Sequence, residues 1–393
     1  MTPDMTATSE RGGLRAAALT PAQTAAIAYV RSSAVVERPA ALATIARQLT
    51  TADLGHRPEH LLGAIGSGRL TVNFHPDRLC ADGRTVADAL AEDGVYRSQF
   101  VTGISNGGLT AYPGGDRDRW EHRMFGGAYQ RPGVTPAQRP TYGGLNLLDH
   151  ADGACPRFGS CHLRLRPAVL SRATFCLGDS HLSPEVVGTA DAFEAVLAGL
   201  LAGVAATGEC LGRAGTGVAA LARTLLDQPS ARSEPGLRAP QSRAKGVPTT
   251  PGAVGRALDD YVEAQVHGTL DLAYDVEELV VDPSFAGTPT GATLESIAER
   301  FGFPLRWHPG FVLAVDQVDA EFRGPAIPVL AARVHREFAR SGDPVDAALI
   351  GRAAASVVVE PERWADRGPI ADTLQHLKQL WHVLVRFGTP YGT

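Results

Sequence analysis

The chain has 393 residues, 44% hydrophobic and 20% charged, with a formal net charge of −5. That balance is ordinary for a globular protein and carries no global basic footprint for nucleic acid or an anionic membrane. Five cysteines, an odd number without C-x-x-C spacing, argue against both a disulfide framework and a zinc site and fit a reducing compartment.

Residues 1–20 read as a loose tail, lacking the basic start and apolar core of a secretory signal. The expected location is therefore the cytoplasm, or outside the cell by a leaderless route. PAQTAAIAYVRSS (21–33) and RPAALATIARQL (38–49) predict two helices, each opening on a proline, within a helical N-terminal region over 21–68. RLTVNFHPDR (69–78) predicts a strand running into a turn, and TVADALAEDG (85–94) a short helix stopped by Gly94. VYRSQFVTG (95–103) reads as a second strand. The glycine-rich, charged stretch at 105–129 reads as turns, with GGDRDRWEHR a solvated loop or helix start whose charges compensate one another.

TYGGLNLL (141–148), FGSCHLRLRP (158–167) and RATFCLG (172–178) predict strands. The apolar run at 193–206 contains Glu194 and is shorter than the roughly 20 residues a membrane span requires, so it predicts a buried helix. Residues 228–252, rich in Pro, Ser, Arg and Gly, predict a disordered insertion. After it, a strand is expected at 261–267, further mixed structure at 278–285 and 304–315, a helix near 291–301, and helices through most of 326–393. The fold class is α+β, with a central domain at 69–325 between helical N-terminal and C-terminal additions.

YVEAQVHG (261–268) carries the densest chemistry. On a strand, side chains alternate, so Tyr261, Glu263, Gln265 and His267 share one face while Val262, Ala264 and Val266 share the other. An early strand ending in NFHPDR, a middle block with YRSQF, SNGG and YGGL, and this late strand follow one another in an order that resembles the ADP-ribosyltransferase superfamily. That resemblance implies a split two-sheet core and NAD as the cofactor. It also implies a His or Arg near the first strand to anchor NAD, a Tyr or Ser at the nicotinamide pocket, and a catalytic Glu on a later strand.

In the His-Tyr-Glu branch of diphtheria-like toxins and poly(ADP-ribose) polymerases, the matching positions are His75, Tyr142 and Glu263. Arg78 then assists on the adenosine side, Gly143 allows close approach of the ring, and Gln265 is grouped with Glu263 as catalytic. Pro76 stands where that branch has glycine. In the Arg-Ser-Glu branch the anchor is Arg97 and the pocket serine Ser105; Arg97 also has a plainer reading as an ion-pair partner of Glu92 or Asp93. Residues 70–325 are further similar to an uncharacterised actinobacterial family and to bacterial effectors that ADP-ribosylate a threonine of ubiquitin. The implied activity is mono-ADP-ribosyl transfer to a protein, whether ubiquitin or another host or competitor protein, as a toxin or effector would perform it. NAD hydrolysis, or a binding module on the same fold, are the alternatives. No membrane or nucleic-acid partner is expected.

Breaking the nicotinamide–ribose bond develops positive charge on the sugar, which a fixed carboxylate stabilises. This is the chemical reason a glutamate is wanted at such a site.

Overall fold

The computed structural model describes residues 18–55, 58–65, 68–104, 110–227, 256–340 and 342–391. Ser105 and the 228–252 insertion therefore lie outside the described residues, as does most of the N-terminal tail. The architecture is α+β. Eight strands form one sheet: β1 (Arg69–Phe74), β2 (Thr141–Asn146), β3 (Cys161–Leu165), β4 (Ala173–Leu177), β5 (Val187–Thr189), β6 (Val262–Val266), β7 (Val276–Val281) and β8 (Leu305–Trp307). Their spatial order is β8-β7-β3-β1-β2-β6-β4-β5, antiparallel at every step but β7 with β8. The expectation of two split sheets is corrected here, because β1 hydrogen-bonds to both β2 and β3 and so joins the halves.

The strand alternation decides what each face becomes. On β4, Phe175 meets Phe193 with ring centroids 5.3 Å apart, so this face packs on the helix Glu194–Thr207. Thr174 and Cys176 point the other way, opposite Gln265 and Glu263 of β6. Tyr142 of β2 also stands opposite Gln265, and Gly144 opposite Glu263. A polar stripe thus crosses three strands on one face of the sheet, and it is buried rather than solvated.

The helices cover this sheet on sequence logic that mostly holds. α1 (Pro21–Thr51) opens on a Thr20/Gln23 capping box and packs on the helix Glu194–Thr207. Two helices were expected there; a single one continues through Pro39, which costs one backbone bond and is offset by buried residues on both sides, Val30 and Ala34 before it and Ala41 and Ile45 after it. α2 (Val86–Asp93) has Thr85 as N-cap and Gly94 in the left-handed region, φ 65°, as its stop. The strand expected at 95–103 is only Val95–Tyr96, followed by a helical turn at Gln99–Thr102.

Of the two readings of the DRDRWEHR run, loop or helix start, the structure has the helix, α3 (Asp116–Met124), with acids in its first turn and His122 and Arg123 in its last, as the helix dipole favours. Near the end of the chain come α4 (Ala326–Phe338), α5 (Ala347–Val359) and α6 (Ile370–Phe387). Leu377, Leu380, Trp381 and Leu384 of α6 belong to the same apolar cluster as the sheet's core face. The C-terminal helices are therefore part of the central body rather than an appendage. Among the described residues no helix is long and apolar enough to cross a membrane.

Candidate functional site

A cavity of about 510 Å³ opens beside the polar stripe, within the range of small-molecule and cofactor sites. Its lining draws on the turn after β1 (His75, Arg78), on α2 and the segment after it (Arg97), on α3 (Arg117, Trp120), on β2 (Tyr142, Gly143), on the turn after β4 (Asp179, Ser180, His181), on β6 (Glu263) and on α6 (Lys378). Glu263 thus borders the same hollow as residues from the 70–145 segment.

Glu263 is 4% exposed. One carboxylate oxygen accepts from Gln265 Nε2 at 2.9 Å and the other from the Ser180 backbone amide at 3.3 Å. Burial, and next the charge of Asp179, push its pKa up to about 7. Gln265, grouped with it as catalytic from sequence, does not reach the cavity; it is fully buried and holds Glu263 from behind.

That support extends further. Thr174 Oγ1 donates to Gln265 Oε1 at 2.8 Å and lies 3.0 Å from His267 Nε2, and Tyr129 Oη lies 2.6 Å from His267 Nδ1. Since Thr174 spends its proton on Gln265, it accepts from His267 Nε2–H, which leaves Nδ1 to accept from Tyr129. All donors in this chain point toward Glu263. Burial and then Arg172 lower the His267 pKa to about 3, so its ring is neutral, as this arrangement requires.

Tyr142 lines the cavity but its ring is already engaged. Its hydroxyl donates to Glu121 at 2.8 Å, and the Arg117 guanidinium lies over one ring face at 4.4 Å. Glu121 is fully buried and bonded to Arg139 at 2.8 Å, which also binds Asp118 at 2.6 Å. Asp118 and Glu121 of α3 are thus structural, and the expected solvated charge run is in part a buried network. Gly143 also lines the cavity, yet a Cβ there would meet the Thr71 carbonyl at 2.4 Å, so strand packing alone already demands glycine.

His75 follows β1 directly, 3.4 Å from the Ser160 hydroxyl and edge-on to Trp381. Burial, then the charges of Arg78 and Lys378, hold its pKa well below the ordinary value, so it is neutral. Arg78 and Lys378 have no ion-pair partner among the described residues, and Lys378 is only 8% exposed. Burial and then Arg157 lower the lysine's pKa to about 8. A buried cation with no ion-pair contact, facing a cavity, is the signature of a place for an anion. Arg97 reaches the rim, but its guanidinium pairs with Asp93 at 2.7 Å and its side chain is 44% exposed, as the plainer reading expected.

Beside Glu263, the turn after β4 carries an acid–imidazole pair. Asp179 Oδ1 lies 2.7 Å from His181 Nδ1 and accepts from the His181 backbone amide at 3.1 Å, while Oδ2 accepts from the Tyr261 hydroxyl at 2.9 Å. Burial draws the Asp179 pKa upward, but hydrogen bonds from His181 outweigh it and leave the carboxyl below its ordinary range. The residues at 69–387 match the model of a family described as a protein of unknown function, DUF3626. The chain belongs to the DUF3626 family. The family match includes α6 and its Lys378, so in DUF3626 terms the cavity and the C-terminal helices are one unit. No curated protein matches the chain.

Sequence reasoning missed Lys378, Asp179, His181, Trp120 and Arg117. Lys378 had a legible signal: in LQHLKQLWHVLV it lies four residues after Leu374 and three before Trp381, a lysine within a buried helical stripe.

Proposed function

We propose that this DUF3626 protein is an NAD-dependent mono-ADP-ribosyltransferase that passes ADP-ribose to a protein acceptor. One observation carries the reading. Three neighbouring strands, β1, β2 and β6, bring His75, Tyr142 and Glu263 from distant segments to a single cavity, in the chain order that the resemblance to ADP-ribosyltransferases implies.

The residues fit NAD as substrate. Its two phosphates are the anions that Arg78 and Lys378 lack, and each charge-assisted contact is worth more than a neutral hydrogen bond. His75, being neutral, hydrogen-bonds the adenosine side without adding to the cation cluster. The plane of nicotinamide lies against the Tyr142 and Arg117 side of the cavity. Glu263 as carboxylate faces the ribose and stabilises the charge that develops as the glycosidic bond lengthens. Arg97, already paired with Asp93, is the weaker anchor.

The test is incubation of the full chain with NAD labelled in its adenosine half, alone and with candidate protein acceptors including ubiquitin. Label on a protein, nicotinamide release, and a fall of about 10²-fold or more in Glu263→Gln are expected. NAD should also raise the melting temperature of both proteins. Free ADP-ribose with no labelled protein would convert the reading to NAD hydrolysis. An unaltered rate in Glu263→Gln, or no thermal response to NAD, would sink it and leave a binding module.

A further inference from the structure

The proposed transfer needs a second proton acceptor, because the incoming nucleophile must lose a proton while Glu263 is occupied with the ribose. We propose that His181, oriented by Asp179, is the base that deprotonates a neutral O–H nucleophile, either an alcohol side chain or water. This rests on the NAD reading and assigns a role in it to residues outside the His-Tyr-Glu set.

The geometry is local and rigid. His181 Nδ1 lies 2.7 Å from Asp179 Oδ1, so the carboxylate occupies the Nδ1 side of the ring and Nε2 is the nitrogen left for another partner. Nε2 has no partner among the described residues, and the side chain is 50% exposed on the cavity wall. Asp179 is itself held by the Tyr261 hydroxyl at 2.9 Å, two residues before Glu263 on the same strand segment. Between the two members of the pair, the Ser180 amide grips Glu263 at 3.3 Å. One three-residue stretch therefore sets the imidazole and the carboxylate relative to each other. Its far end is pinned as well: Ser183 sits in the left-handed region, φ 55°, and its hydroxyl accepts from Arg123 at 2.7 Å.

An imidazole backed by a half-buried carboxylate is the arrangement that makes histidine an effective base toward a hydroxyl. The step balances without a redox partner. The nucleophile's oxygen forms a bond to ribose C1′, the C1′–nitrogen bond breaks with its electron pair leaving on nicotinamide, and the nucleophile's proton moves to His181 Nε2 and then to solvent.

The discriminating nucleophile is one with no proton to lose. NAD turnover by the full chain is measured with water, with a simple alcohol such as methanol, and with azide, for wild type, His181→Gln and Asp179→Asn. His181→Gln should lose about 10²-fold or more of the water and methanol reactions, retain the thermal shift with NAD, and keep its azide reaction within a few-fold of wild type. Asp179→Asn should show the same selectivity in milder form. Equal losses with azide and water, or unchanged hydrolysis in His181→Gln, would overturn the assignment and leave the NAD reading standing. Failure of the wild type to release nicotinamide with any of the three would overturn both.

Discussion

Replacing Glu263 by glutamine should separate function from stability in a pH-dependent way. In the folded chain the carboxyl titrates at about 7, against an ordinary 4.5, because burial and Asp179 disfavour its charge. Between those two pH values the folded state holds a proton that the unfolded state has released, so stability falls as pH rises. At about 1.36 kcal/mol per pKa unit the whole loss is about 3 kcal/mol, complete above pH 7. The variant has no such titration. Its amide does carry a fixed cost, since Gln265 Nε2 and the Ser180 amide both donate to the position and a single carboxamide oxygen satisfies only one of them well; that cost is about 1–3 kcal/mol at every pH.

Subtracting the two proteins cancels the other raised acids, Asp77, Glu121, Asp282 and Asp346, which slope in the same direction. Urea unfolding followed at pH 4.5 and pH 8 should therefore show Glu263→Gln gaining about 3 kcal/mol on wild type between the two. The variant is the less stable protein at pH 4.5 and at least matches wild type at pH 8, while NAD turnover is lost throughout. Parallel stability curves would refute the argument, because they would mean that Glu263 is ionised at ordinary pH and that its burial carries no electrostatic strain.

Asp179→Asn removes a negative charge beside Glu263, so the acid limb of azide-dependent NAD turnover, which tracks ionisation of Glu263, should move to lower pH; a pH–rate profile checks the direction. Gln265→Met deletes the donor to the carboxylate and should move that limb to higher pH, with a loss of about 1–3 kcal/mol in urea unfolding from the unsatisfied Thr174 hydroxyl. Lys378→Met should raise the unliganded melting temperature at pH 7, because a buried cation without a partner is removed, and should weaken NAD binding by about tenfold or more in calorimetry. Loss of stability without loss of affinity would place the lysine in the core rather than at the phosphates.

The strands that build the site were legible because they obey a period of two and are bounded by turn residues. β1, β2, β3, β4, β6 and the helix ending at Gly94 all fall within a few residues of the sequence reading. Where the reading failed, tertiary contacts outweighed local pattern. α1 runs through Pro39 because Ile45 and Leu49 beyond it are wholly buried against the body, and VYRSQF turns helical after Tyr96 rather than continuing a strand. The charged DRDRWEHR run looked solvated because nothing in its spacing reveals that Arg139, a distant residue, will neutralise Asp118 and Glu121.

The same distinction governs the site. Glu263, Gln265 and His267 were visible together, since alternation on one strand places them on one face. What alternation does not convey is depth. The face dives beneath the turn after β4, so that only Glu263 meets the cavity while the two residues after it become its support. Two of the cavity's cations likewise come from places no local motif connects: Arg78 from the turn after β1 and Lys378 from α6, about 300 residues later, so that distant segments must fold together before the two can meet. The proposed binding site for a doubly charged ligand is thereby tied to completion of the fold. Truncating the chain before α6 should abolish NAD binding even if the strands carrying His75, Tyr142 and Glu263 still form, because Trp381, whose indole donates to the Pro156 carbonyl at 2.8 Å, and Lys378 leave together.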